Sequence, residues 1–455
     1  MSRATRLVWS LVAGVALSTL LGCSKPPRRP SFLLVSIDTL RADRLGCYGY
    51  ERDTTPTLDA LAARGYRFDQ CATVSENTLI SHASMFTGLD AEAHGVTHLD
   101  GGRILHANFR TIAEDFRDAG YQTAGFNSHG AWLNEAFEMH QGFDVFVHGH
   151  DDAEALLAKV DEWLDGLDQD RPFFLFVHLF DVHSDAAGRP YAADPPFFGR
   201  WTGDYTGAWK DWVDRDPSGS SFLNALNDGE VAWAAEDAAF LSDAYDEGLA
   251  QLDATLGRFL DGSLARMDDA WVTITSDHGE EFGEHGRFMH GTPYDGVQRV
   301  PLLIVPPALE RDRLGEARAL SPQVTILELR PTLLGLAGVP AIARCQGRDL
   351  GPWLSGRSSA VPDWPAVFKR HAVRLNGLKH VAPDKLFDLV VDPGETRDIA
   401  SDRPEDLANM QFVLRESLDL SAMTKREVLA GAPEISPERD PARRARLEEL
   451  GYLGK

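Results

Sequence analysis

The sequence predicts an α/β fold: a mixed, mostly parallel sheet flanked by helices, with a small antiparallel subdomain toward the C-terminus. Three observations carry this. Short apolar runs alternate with helical patterns between Ser31 and Val305, the texture of strands joined by crossover helices. Three of those runs end at or near acidic and histidine residues, and ligands of such sheets bind outside the carboxyl ends of the strands. From about Gly347 the texture changes to short strands and turns.

In order, Ser31–Ile37 (SFLLVSI) is a buried strand that delivers Asp38 at its end. Thr57–Arg64 is a helix closed by Gly65, and Ser81–Phe86 opens another after a polar loop. Phe109–Ala119 is helical and stops at Gly120, Gln122–Phe126 is strand-like, and Ala153–Leu167 is an amphipathic helix. Pro172–Leu179 (PFFLFVHL) is a second buried strand ending near Asp181, and Leu241–Leu260 is a long helix. Trp271–Thr275 is a third strand, ending at Asp277-His278, and Pro301–Val305 a fourth. Lys379–Val381 and Lys385–Leu389 belong to the small antiparallel sheet, with a turn at Asp392-Pro393-Gly394, and Pro441–Leu450 is a charged terminal helix.

The chain has 455 residues, and at roughly 150 residues per domain this allows about three domains. We divide it into a signal segment 1–22, a tether 23–30, a main domain 31–345, a C-terminal subdomain 346–410 and a helical tail 411–455. Hydrophobic residues make up 43% and charged residues 25%, the balance of a packed globular protein. A formal net charge of −24 argues against nucleic acid as a partner. Four cysteines exclude a disulfide scaffold and a four-cysteine zinc pattern. Cys47 and Cys71 would be able to pair in an oxidising compartment.

The N-terminus carries Arg3 and Arg6, an apolar run Leu7–Leu21, and then Gly22-Cys23-Ser24. It resembles a bacterial lipoprotein signal, which implies cleavage before Cys23, lipidation of its thiol and export. Ser24 after the cysteine points to the periplasmic face of the outer membrane.

The residues with chemical promise are Asp38, Thr78, Asp277 and His278. Two carboxylates, an imidazole and a hydroxyl suit a divalent cation. Thr78 precedes a helical run, whose free N–H groups and positive dipole end favour an anion. Each has a plainer reading: Asp38 as a surface acid, Thr78 as an N-cap. Pro190–Trp233 is rich in Trp and Tyr, either a platform for a sugar or lipid headgroup or rings that pack this insertion onto the main domain.

Ser36-Ile37-Asp38-Thr39-Leu40-Arg41-Ala42-Asp43, Thr55–Ala62, Ser81–Gly88 with His94-Gly95-Val96, Asp277–Gly286, Arg299–Ile304 and Leu386–Leu389 follow one another in an order that resembles the sulfatase family. The resemblance spans about residues 31–400. It implies an alkaline-phosphatase-like fold, one divalent metal ion (Ca, Mg, Mn or Zn), an anionic ester substrate and ester hydrolysis. Asp38, Thr78, Asp277 and His278 fall where the family holds its metal. Three departures matter. Thr39 stands where the family has a second acid. Thr78-Leu79-Ile80-Ser81-His82 replaces the motif whose Cys or Ser becomes formylglycine, so Thr78 takes the nucleophile's place and His82 that of the motif Arg. The family's cationic Lys has no counterpart near Asn127–Gly130. The pattern resembles the threonine branch of the superfamily. His183, after Asp181-Val182, and His290 match positions that bind substrate or protonate the leaving group. His82 and His129 would partly replace the lost cations, and Arg41 would contact the acids or the nucleophile loop. The resulting expectation is a lipid-anchored hydrolase of sulfuric or phosphoric esters, on a glycan or lipid headgroup. A transferase of phospho-headgroups and a non-catalytic binding lipoprotein are the alternatives.

Overall fold

The computed structural model describes residues 29–432, apart from 98–103, 185–189, 192, 217, 264–266, 268, 315–316 and 359–362. The signal segment 1–22, Cys23 and the terminal helix expected at 441–450 lie outside the described residues.

The main sheet has eight strands: β1 (Ser31–Ile37), β2 (Tyr66–Phe68), β3 (Gln122–Asn127), β4 (Val145–His148), β5 (Phe173–Leu179), β6 (Ala270–Thr275), β7 (Leu302–Val305) and β8 (Arg318–Leu320). Their spatial order is β8-β2-β7-β6-β1-β5-β3-β4. β1 pairs in parallel with β5 and β6, and β3 in parallel with β5 and β4. β7 runs antiparallel to β6 and β2, which makes the sheet mixed. Helices α1 (Pro56–Ala62), α2 (Thr78–Thr87), α3 (Ile112–Asp118), α4 (Ala153–Asp165), α5 (Ala235–Ser263), α6 (Leu329–Leu336) and α7 (Pro404–Val428) accompany it.

All seven residues of β1 are buried, because both faces of the sheet are covered. The alternation of a strand then divides its side chains between two cores. Phe32 and Leu34 join Phe174, Phe176 and Trp271 in the core under α2, α3 and α6. Leu33, Val35 and Ile37 join Leu175, Val177, Val272 and Ile274 in the core under α4 and α5. Parity therefore sends Ser36, His178 and Thr275 to the α2 side, and the register sets Ser36 opposite both His178 and Thr275. Continued past the strand ends, it aims Asp38 and Asp277 at the same helix.

α2 starts where the Asn77 side chain accepts from the Ile80 N–H and ends at Gly88, whose φ of 66° is the left-handed conformation glycine tolerates. Its ten residues are all buried. Thr78 and His82, four apart, share the face turned to the strand ends.

A four-stranded antiparallel sheet, β9 (Ala366–Phe368), β10 (Ala372–Leu375), β11 (Leu378–Val381) and β12 (Lys385–Asp388), forms the C-terminal subdomain. α7 runs without a break across residue 410, so the expected boundary with a separate tail at 411 falls inside one helix. The reason is packing: Met410 and Leu414 join Val367, Val373 and Leu386, and the Ser421 hydroxyl reaches Asp90 at 2.6 Å. Cys47, Cys71 and Cys345 are free thiols, so Cys47 and Cys71 do not pair here. Among the described residues no helix is long and apolar enough to cross a membrane.

Candidate active site

Asp38, Asp277 and His278 are completely buried, and their ligand atoms lie within 4.8 Å of one another. The Thr78 hydroxyl donates to Asp38 Oδ2 at 3.3 Å. His278 Nε2 lies 3.8 Å from Asp38 Oδ1 and 3.5 Å from Asp277 Oδ2. Asp38 Oδ1, Asp277 Oδ2 and His278 Nε2 are buried, and none has a hydrogen-bond partner. Buried polar atoms are normally satisfied, so three orphans facing one another, two of them carboxylate oxygens, form a group that could hold a divalent cation. The residues fit the metal that the sequence implies.

The electrostatics agree with such a site. Burial, then the neighbouring charge of Asp38, pushes the Asp277 carboxyl up to about 6. Burial would raise Asp38 too, but the His178 hydrogen bond and the proximity of His183 and His278 hold it well below the carboxylate range. Burial, then neighbouring His290, lowers His278 to about 4, leaving a neutral imidazole, the form that ligates metal.

His183 and His290 stand beside this cluster. The His290 ring centroid is 4.4 Å from that of His278 and 5.2 Å from that of His183. Met289, in the left-handed region at φ 70°, turns the chain at this point. His290 Nδ1 contacts Glu280 Oε1 at 3.1 Å. Burial opposes its protonation, yet the Glu280 charge and hydrogen bond raise its pKa. His129 is one ring further out. It stacks on Phe180 with centroids 4.2 Å apart, and Phe180 stacks in turn on His183 at 4.2 Å.

Two expected substrate contacts lie elsewhere. His82 sits beneath the site: Nδ1 donates to the Thr78 carbonyl at 2.8 Å, and Nε2 accepts from the Ser36 hydroxyl at 2.9 Å. Burial, then His178, lowers it to about 4, so it is neutral and replaces no cation. Arg41 is committed to Asp43 at 2.7 Å, Glu284 at 2.5 Å and the Glu280 carbonyl at 3.0 Å. It braces the segment after His278 and is turned from the acids of the cluster, because two carboxylates and a carbonyl hold its guanidinium. Thr39 turns away too, donating to the Val182 carbonyl at 3.1 Å. Asp181 accepts from the Ala153 N–H at the start of α4. Part of the aromatic insertion packs inward, where Tyr205 stacks on Phe240 at 3.8 Å and buried Trp209 meets Phe222, while Trp233 meets Phe288 but stays exposed, as does Phe198.

His178 was not anticipated. It is buried in β5, with Nε2 3.3 Å from Asp38 Oδ2 and Nδ1 donating to the Ser36 carbonyl at 3.2 Å. The available signal was a titratable residue inside an otherwise apolar strand. Its significance needs the register against β1.

A sulfatase family model matches residues 30–339, and the chain belongs to the sulfatase family. An arylsulfatase of Clostridium perfringens is 26% identical over 402 residues, covering 74% of this chain and 80% of that protein. An N-acetylglucosamine-6-O-sulfatase of Bacteroides thetaiotaomicron is 23% identical over 499 residues, covering 86% and 87%. The solved phosphonate monoester hydrolase of Agrobacterium radiobacter has the same fold, with a TM-score of 0.68 at 21% identity, covering 87% of this chain and 96% of that one. The chain is a sulfatase-like ester hydrolase with the mixed sheet and antiparallel C-terminal subdomain of that fold.

Proposed function

We propose that this chain is an exported, metal-dependent hydrolase of sulfuric or phosphoric esters with Thr78 as its nucleophile. The observation that carries the reading is the Thr78 hydroxyl on Asp38, beside three unsatisfied ligand atoms of Asp38, Asp277 and His278. A bound divalent cation supplies Lewis acidity and makes a neighbouring alcohol more acidic. Asp38 orients the Thr78 hydroxyl. His82, holding the Thr78 carbonyl, fixes the first turn of α2. Thr78 Oγ1 passes its proton to Asp38, the carboxylate it already donates to, and bonds to sulfur or phosphorus as the ester oxygen leaves, while His290, whose pKa Glu280 raises, gives that oxygen its proton. Water then cleaves the threonine ester, giving one proton back to His290 as its oxygen bonds to sulfur or phosphorus, while Thr78 Oγ1 leaves and recovers its proton from Asp38.

Thr39 in place of an acid makes the site less negative, but the neutral His82 in place of the family's Arg and the absence of its Lys near Asn127–Gly130 remove cations that grip a dianion, and the balance favours a group with one negative charge, a sulfate monoester or a phosphodiester. The names of the arylsulfatase and the N-acetylglucosamine-6-O-sulfatase favour the sulfate ester. The lipobox-like Leu20-Leu21-Gly22-Cys23 supports anchoring through lipidated Cys23 at the periplasmic face of the outer membrane, where glycan or lipid-headgroup esters are accessible. Chromogenic sulfate monoester, phosphate monoester and phosphodiester, offered to protein loaded in turn with Ca, Mg, Mn and Zn, test the activity. Thr78→Ala should lower kcat about a thousandfold or more. Equal turnover by wild type and Thr78→Ala, or no turnover at verified metal content, overturns the reading. Fractionation tests the anchor: Cys23→Ala should leave the membrane fraction.

A further inference from the structure

His178, inside β5, and His278, in the loop just past the end of β6, both have their rings held through Nδ1. Each places Nδ1 on a main-chain carbonyl, His278 on its neighbour Gly279 at 3.1 Å and His178 on Ser36 at 3.2 Å. A carbonyl only accepts, so Nδ1 of each ring carries the hydrogen. In the neutral His278 ring the lone pair is then on the unpartnered Nε2, whereas His178 Nε2 hydrogen-bonds to Asp38 and offers its lone pair once a cation takes the place of that hydrogen. In both residues Nε2 faces the acids: His278 Nε2 lies 3.8 Å from Asp38 Oδ1, and His178 Nε2 lies 3.3 Å from Asp38 Oδ2. A ligand atom of His178 also lies within 4.8 Å of one of Asp277. A ring tied through Nδ1–H to a backbone carbonyl, with Nε2 turned to an acidic cluster, is how metal-ligating imidazoles are oriented. His82 does not share this arrangement, although its Nδ1 is 3.8 Å from Asp277 Oδ2. Both its nitrogens are spent, on the Thr78 carbonyl and the Ser36 hydroxyl.

We propose that His178 is a second imidazole donor to the cation held by Asp38, Asp277 and His278, and that this set of two nitrogens and two carboxylates selects a zinc-type ion over calcium. The inference rests on reading that cluster as a metal centre. Imidazole nitrogen suits zinc and its transition-metal neighbours. Calcium takes six to eight oxygen ligands, and this pocket presents two carboxylates and one hydroxyl beside its two imidazoles. The strand positions make the set rigid: His178 lies in β5 beside β1, and β1 delivers Asp38.

The test is metal binding by the chelator-stripped full chain, titrated separately with Zn and Ca. Wild type should bind Zn far more tightly than Ca. His178→Ala should weaken Zn binding by about 10- to 100-fold and change Ca binding by less than about threefold. Tighter Ca than Zn binding, or equal losses for both ions in the variant, overturns the proposal. Nitrogen-15 histidine spectra of the Zn-loaded wild type cover the case in which His178→Ala does not fold. The Nε2 resonances of two rings should move on loading, and movement of one alone overturns the proposal. None of these readings depends on turnover. Zn-selective binding through His178 without ester hydrolysis would sink the proposed function alone, and hydrolysis with Ca bound most tightly would sink this inference alone.

Discussion

Asp277 shares a fully buried cluster with Asp38, and in the metal-free protein that proximity is a stability liability. Its carboxyl is pushed up to about 6, above the ordinary 3.8 of an unfolded chain. The native state therefore binds more protons than the unfolded state between those values. The contribution of Asp277 is complete below about pH 4 and is lost as pH rises through 6. Metal-free Asp277→Asn should accordingly be more stable than metal-free wild type at pH 8, by about 3 kcal/mol. Near pH 4 the two should melt together. Thermal melts at both pH values decide this, and an equal difference at each would contradict it. His290 bears on the pH profile of turnover. Glu280 raises its pKa against the effect of burial, so Glu280→Gln should move the alkaline limb of the kcat profile to lower pH. An unmoved limb would remove His290 as the proton donor.

At the scale of elements, α2 is positioned from both ends. Asn77 caps its first turn, and Asn77→Ala should cost about 1 kcal/mol. Because Thr78 is the next residue, kcat should fall as well, which a steady-state assay beside a denaturation curve would separate. At the other end, Arg330 of α6 donates to Asp115 of α3 at 2.8 and 3.0 Å and to the Thr87 carbonyl of α2 at 2.6 Å. Arg330 and Asp115 are both buried. Removing one partner leaves a buried charge incompletely compensated, so Arg330→Met should lose about 3 kcal/mol in urea denaturation. A change below 1 kcal/mol would mean that Arg110, 2.6 Å from Asp115, carries the acid alone. Most of these elements are legible in the sequence, since apolar runs and glycine stops mark them. The short strands β2, β4 and β8 are not, because three or four residues carry too little periodicity.

Across the whole molecule, the C-terminal subdomain belongs to the catalytic unit. Lys369, in the left-handed region at φ 49°, donates its N–H to the Val74 carbonyl at 3.0 Å and its ammonium to Glu76 at 2.5 Å. Glu76 stands two residues before Thr78. Lys379, completely buried, bridges Asp295 and Glu395 at 2.9 Å each. Val297 shares a small core with Phe368, Val381 and Phe387. A chain ending at residue 345 would expose this apolar surface and release the loop before Thr78. It should bind a hydrophobic dye and hydrolyse no ester, whereas folding and turnover by that fragment would contradict the coupling.

The order of strands and helices, the buried character of β1, β5 and β6, and the identities of Asp38, Thr78, Asp277 and His278 were determined by the sequence itself. Each is encoded locally, in an apolar run, in the residue that ends it, or in a contiguous motif. Tertiary structure alone decided what those residues meet. The register of β5 against β1 sets His178 opposite Ser36 and brings it to Asp38, across a separation in sequence that no local pattern spans. Packing made His82 a neutral support beneath Thr78 and bound Arg41 to Asp43 and Glu284. A side chain's type states what it can donate or accept, but burial and partners fix its charge and direction, and those exist only once the sheet has closed around it.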